Sequence, residues 1–125
     1  MDIIKFAEQY AIDYSLFGSR AIKTSLETND YDWILLVEDV NSIDHKLQMA
    51  GYKRSSNYIG KEFTSYRHGD YNVILTDNTG FFDCTILATR LAELLGCKTK
   101  QERIIVYNTV MHSNGFEYKN SGAPR

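Results

Sequence analysis

Two carboxylates one residue apart, Asp30 and Asp32, open an apolar run, Trp33-Ile34-Leu35-Leu36-Val37. Alternate residues of a strand project to the same face, so this spacing lets both side chains meet one divalent ion. Mg²⁺ suits such a pair, because it is held by one or two carboxylates together with phosphate oxygens rather than by an all-protein cage. Upstream, Tyr14-Ser15-Leu16-Phe17 stops at Gly18-Ser19, with Ser19 and Asp30 11 positions apart. A glycine beside a serine at a strand end lets backbone N–H groups and a hydroxyl come close to a phosphate. The chemistry these residues suit is metal-assisted attack on a phosphoryl group, driven by positioning and charge neutralisation. Each element alone is common: Gly18-Ser19 also makes an ordinary turn, and Asp30 and Asp32 also serve as a turn residue and a solvated strand opener. Their spacing and the two apolar runs are what couple them.

Further polar residues have weaker claims. Arg20 and Arg67 are candidate phosphate clamps, since a guanidinium donates to two oxygens at once. For Arg20 a solvated charge is an equal reading. Asp70 and Asn72 repeat the two-residue spacing at the start of another apolar run. Tyr31 and Trp33 alternate with the aspartates and read as packing residues. Ser65 and Tyr66 are candidates to meet a base or an acceptor, with nothing local to fix this. Lys23 and Lys61 read as surface lysines. His45, His68 and His112 share no ligand spacing and read as surface or turn residues. Cys84 and Cys97 lie 13 positions apart with no zinc-type spacing, which suits two reduced, buried thiols.

The elements that must position these residues are legible in outline. Residues 2–12 carry apolar positions at helical spacing. Residues 14–17 and 32–37 read as strands, the second apolar throughout and so covered on both faces. Residues 20–28 fit a short helix or loop. Ser42 is placed to cap a helix over 42–50, with Gly51 as its stop. The stretch 52–76 is rich in Tyr, Phe, Val, Ile and Thr and reads as a strand meander, 61–67 turning through His68-Gly69-Asp70 into 71–76. Residues 81–95 form a periodic helix ending at Gly96. Thr99 with Glu102 makes a capping box for a helix to about 111. The segment from Ser113 is expected to fray. This order gives an α/β or α+β class with a small mixed sheet and outer helices. It fills one domain over 1–112 with a flexible tail over 113–125.

Composition narrows the field. The chain has 125 residues, 43% of them hydrophobic, and a net charge of −2, which supplies no broad field for nucleic acid or an anionic membrane. No apolar run is long enough to cross a bilayer. The start, MDIIKFAEQY, is charged at Asp2, Lys5 and Glu8 and lacks a signal-peptide core. A cytoplasmic protein is expected, in a host cytoplasm if the gene is viral.

With both elements in hand, the chain resembles the DNA polymerase β-type nucleotidyltransferase superfamily, in which a strand ends in Gly-Ser and the next opens with Asp-x-Asp. The run Phe63-Thr64-Ser65-Tyr66-Arg67-His68-Gly69-Asp70-Tyr71-Asn72-Val73-Ile74-Leu75-Thr76, with Phe81-Phe82 and Glu102-Arg103-Ile104, is similar to small bacteriophage-encoded nucleotidyltransferase-like proteins. The likeness spans residues 16–111. It implies a minimal nucleotidyltransferase fold in which Asp30 and Asp32 hold Mg²⁺ or Mn²⁺ and Gly18 and Ser19 hold an NTP such as ATP. The implied reaction moves a nucleoside monophosphate to an acceptor hydroxyl on RNA such as tRNA, on a protein or on a small molecule, releasing pyrophosphate. A homo-oligomer is compatible with it.

One departure bears on activity. The superfamily supplies a third carboxylate from a neighbouring strand, and the matching position here is Asn72, an amide that brings no negative charge. Asp70, two residues earlier, is the candidate substitute. The Gly69-Asp70-Tyr71 segment reads as a turn that would keep Asp70 near solvent. The enzyme reading therefore stands beside another class, a binding protein that kept the fold and lost transfer chemistry, acting as an inhibitor or regulator of a host protein. A toxin or antitoxin role is a third reading.

Overall fold

The computed structural model describes residues 2–26 and 30–120. Asn29 of the motif stretch and the last five residues therefore lie outside the description. In chain order the elements are α1 (Ile3–Tyr10), β1 (Asp13–Phe17), a 3-10 turn (Gly18–Arg20), β2 (Tyr31–Leu36), α2 (Val40–Met49), β3 (Lys53–Arg54), β4 (Tyr58–Ile59), β5 (Thr64–His68), β6 (Tyr71–Thr76), α3 (Thr79–Leu94), α4 (Lys100–Ser113) and β7 (Lys119–Asn120).

Five strands form one sheet in the order β1-β2-β6-β5-β3, and β4 pairs with β7 separately. β2 and β6 run parallel, with Asp32 opposite Asn72 and Leu36 opposite Thr76. The neighbouring pairs are antiparallel. A parallel pair needs a crossover, here the segment running through α2 and β3 to β5.

β2 is an interior strand of the sheet, and each of its faces meets a different core. Ile34 and Leu36 enter a cluster with Phe81, Phe82, Ala88 and Met111 from α3 and α4. Leu35, followed by Val37, enters a second with Phe6, Ile43 and Leu47 from α1 and α2. This explains the unbroken apolar run, since a strand covered on both sides has no solvent face to keep polar. Each such side chain contributes about 1.5–3 kcal/mol on burial. The mixed α+β sheet flanked by helices agrees with the expectation from element order.

Local signals acted largely as expected. The Thr99–Glu102 capping box forms in both directions. The Asn78 side chain accepts from the Phe81 N–H at 2.9 Å and starts α3. Gly69, at φ 58°, makes the tight β5–β6 turn. Two expectations need correction. Asp39, not Ser42, caps α2: its carboxylate accepts from the Asn41 N–H, and the Ser42 hydroxyl donates to its other oxygen. The segment after Ser113 is not a frayed tail up to residue 120. Phe116 packs on Phe81, Tyr118 is buried, and Lys119 and Asn120 pair with β4. Its turn-forming residues hid two aromatic anchors, Phe116 on Phe81 and Tyr118 stacked on Tyr58. The short strands β3 and β4 also carried no periodic signal, being two residues each.

Candidate functional site

The parallel register of β2 on β6 decides what the acidic pair faces. Asp32 lies opposite Asn72, and Asp30 precedes the strand by one residue. All three are buried, Asp30 at 4%, Asp32 at 3% and Asn72 at 0% exposure. The Asn72 amide nitrogen donates to Asp32 Oδ1 at 2.9 Å and reaches Asp30 Oδ2 at 3.4 Å. One atom thus touches both carboxylates, so the aspartates converge on one point. Burying two like charges is costly unless they are paired or hold a cation.

A counter-charge comes from β5. Arg67 lies opposite Asn72, and its guanidinium reaches Asp30 at 3.4 and 3.5 Å and Asn72 Oδ1 at 3.0 Å. Asn57 donates to the same Asn72 oxygen at 3.2 Å. Two donors on that oxygen fix the amide orientation and turn its N–H₂ toward the carboxylates. Nothing in the sequence marked Asn57, which sits in a stretch that reads only as a strand breaker.

Gly18 closes the cluster from β1. Its φ is +72°, and a Cβ placed there would collide with the Asp32 carboxylate. Glycine is therefore required twice over, for backbone conformation and for space. Its N–H, however, is engaged: it donates to the Tyr107 hydroxyl at 2.9 Å, which lies 2.6 Å from the Thr89 hydroxyl. Burial pushes the Tyr107 hydroxyl up to about 12, so it stays protonated. Ser19, the next residue, is half-exposed. Tyr107 was missed because a tyrosine within a helix gives no sequence sign of its distant partner.

Other expected site residues are placed elsewhere. Asp70 does not join the cluster: it sits exposed in the β5–β6 turn, its carbonyl accepting the Tyr31 N–H, with no side-chain bond to Asp30, Asp32 or Asn72. Asp70 belongs with Gly69 to the two-residue turn between β5 and β6. The Arg20 guanidinium lies over the Tyr31 ring at 4.0 Å, and Tyr31 stacks on Tyr71. Tyr66 points to the opposite face of the sheet, where its hydroxyl donates to Asp44 at 2.5 Å. Ser65, on the same strand face as Arg67, is buried with no hydrogen-bond partner for its hydroxyl. Lys61 makes a surface pair with Glu117. Cys84 and Cys97 are free and buried.

The donor set can be tested against a divalent ion. Among the described residues no group of three or more His, Cys, Asp or Glu side chains is placed to hold a metal. The two carboxylates suit Mg²⁺ or Mn²⁺ only where a ligand supplies further oxygens, which is how Mg²⁺ is held beside a polyphosphate. Asp30 and Asp32 would be its protein ligands.

No family model matches the chain. No curated protein matches it. Among the described residues no helix is long and apolar enough to cross a membrane. The structure is similar to the crystal structure of conserved protein GrpB from Enterococcus faecalis, with a TM-score of 0.51 and 13% identity, covering 90% of this chain and 88% of that chain. Likeness at that identity speaks to fold alone, and the shared fold is a mixed α+β domain.

Proposed function

We propose that this chain binds a nucleoside triphosphate with Mg²⁺ or Mn²⁺ and transfers its nucleoside monophosphate to an acceptor hydroxyl, releasing pyrophosphate. The observation that carries this reading is the convergence of buried Asp30 and Asp32 beside Gly18, where no side chain fits between strand end and carboxylate. Asp30 and Asp32 would hold the cation, which supplies charge neutralisation at the phosphates and lowers the proton affinity of the acceptor hydroxyl. Ser19 orients the triphosphate, and Arg67 lies within reach to donate to two of its oxygens. In the transfer the acceptor oxygen bonds to the α-phosphorus, the bond to the bridging oxygen of pyrophosphate breaks, and the hydroxyl proton leaves to solvent. The acceptor classes compatible with this chemistry are RNA such as tRNA, a protein hydroxyl or a small molecule, in the cytoplasm of a bacterial or phage-infected cell.

A second reading is favoured by one observation. The third position holds Asn72, which donates to both carboxylates instead of adding charge, and Asp70 lies outside the cluster. Among the described residues no carboxylate besides the pair is then placed to take the acceptor's proton, a contribution worth about 10²–10⁴-fold. On this reading the chain binds the metal nucleotide, or a host protein, and does not turn over. Asn72→Asp separates the two. Incubated with each labelled NTP, Mn²⁺ and total cell RNA and protein, the parent is expected to label an acceptor slowly and Asn72→Asp faster. A parent that binds metal nucleotide yet labels nothing, with Asn72→Asp gaining activity, establishes the binder. Absence of metal-nucleotide binding by both proteins removes the transferase and the nucleotide binder and leaves only the binder of a host protein.

A further inference from the structure

The contacts of Arg67 with the acidic pair have a consequence for how the pair is filled. Its two distances to Asp30, 3.4 and 3.5 Å, lie at the long limit for a hydrogen bond, so charge rather than tight donor geometry holds it there. Its shortest contact, 3.0 Å, is to the neutral oxygen of Asn72. The Arg67 side chain is 27% exposed while that of Asp30 is 5% exposed, so the cation has room to move and the anion does not. Asn57 holds Asn72 from the same side, so the amide stays in place if the guanidinium leaves.

We propose that Arg67 is an internal counterion that keeps a bare divalent ion off Asp30 and Asp32 and yields the pair to a metal only when a polyphosphate arrives with it. This rests on the metal-nucleotide reading above. A bare ion must displace the guanidinium from Asp30 and leave it beside a second positive charge. A polyphosphate reverses both penalties: its oxygens complete the metal's coordination and give Arg67 a bidentate anionic partner. Metal and polyphosphate then strengthen each other's binding by one common factor, since linkage is reciprocal. Coupling between sites commonly amounts to about 5- to 150-fold. Arg67 is in this role a positioning residue, setting the order in which the site fills.

The test is calorimetric titration of the full chain with Mn²⁺ alone, tripolyphosphate alone and Mn²⁺ with tripolyphosphate. That probe has no base and isolates the phosphate chemistry. Parent protein, Arg67→Ala and Arg67→Gln are compared, the glutamine keeping much of the stem should the alanine variant fold poorly. The parent is expected to bind Mn²⁺ weakly alone and at least about fivefold more tightly with tripolyphosphate. Loss of the guanidinium is expected to tighten Mn²⁺ alone by about tenfold and to weaken the ternary complex, bringing the coupling factor toward one. Unchanged Mn²⁺ affinity in both variants, with ternary binding intact in the parent, overturns the counterion role and leaves the nucleotide reading standing. No ternary binding by any of the three proteins overturns both.

Discussion

Two carboxylate clusters lie on opposite sides of the same sheet, each with an arginine, and they are built differently. On the α2 side, Asp44 accepts the Tyr66 hydroxyl at 2.5 Å, Arg54 Nε and Nη2 at 3.1 Å and Gln48 at 2.9 Å. The hydrogen bonds from Arg54, then that from Tyr66, hold its carboxyl below the usual carboxylate range. One charge faces one bidentate guanidinium, and the cluster ties α2 to β3 and β5. On the α3 side, Asp30 and Asp32 share an amide donor, and Arg67 reaches only Asp30, at longer range. The Asp44 cluster has the geometry of a brace. The acidic pair has that of a site with a movable counter-charge, and the difference follows from distances and donor types rather than from composition.

The largest effect that sharpens the contrast is expected at Asp32. Asp32→Asn should abolish the thermal stabilisation given by Mn²⁺ with tripolyphosphate, about 2.7 kcal/mol at a hundred times the dissociation constant. The ligand-free melting temperature should hold or rise, because one of two adjacent like charges is gone. Melting curves with and without ligand check this; an equal ligand shift in parent and variant would show that Asp32 is no ligand.

Asp44→Ala should do the reverse. The buried Tyr66 hydroxyl loses its acceptor, costing about 1–3 kcal/mol in urea unfolding, while the ligand shift stays. Its pH dependence has a defined sign. The folded-state pKa of Asp44 lies below its unfolded value, so its contribution is complete above the unfolded value and lost as pH falls through the folded one. Below about pH 5 the parent should therefore lose more stability than Asp44→Ala. Parallel loss in both proteins would mean that Asp44 is no brace.

The smallest effect is expected behind the glycine. Tyr107→Phe removes the acceptor of the Gly18 N–H and the partner of Thr89, costing about 1 kcal/mol. It frees the Gly18 N–H beside Ser19, so ligand affinity should hold or rise slightly. A titration in which the variant loses tripolyphosphate binding would make Tyr107 part of the binding surface.

What the sequence determined by itself is local. The Asp30-x-Asp32 spacing aimed both carboxylates one way because strand side chains alternate, whatever the strand pairs with. The unbroken run after Asp32 announced a strand covered on both faces, and Thr99 with Glu102 wrote its own helix start, since a capping box closes within four residues. Ser42 misled because Asp39, three residues earlier, competes for the same N-terminus and is the stronger acceptor.

The tertiary structure decided which distant residues meet. Tyr107 reaches Gly18 from 89 positions away, and Arg67 reaches Asp30 from 37. Both contacts depend on how α4 packs on the sheet and how β5 and β6 set their register. A one-residue slip of β6 against β2 would turn Asn72 to the other face and bring Tyr71 opposite Asp32. Asp70 shows the limit of such spacing: like Asp30 it sits one residue before its strand, but it belongs to the tight turn with Gly69 and is exposed, whereas Asp30 is buried. Backbone periodicity fixes the direction of a side chain within its element, while register and packing fix what stands opposite it.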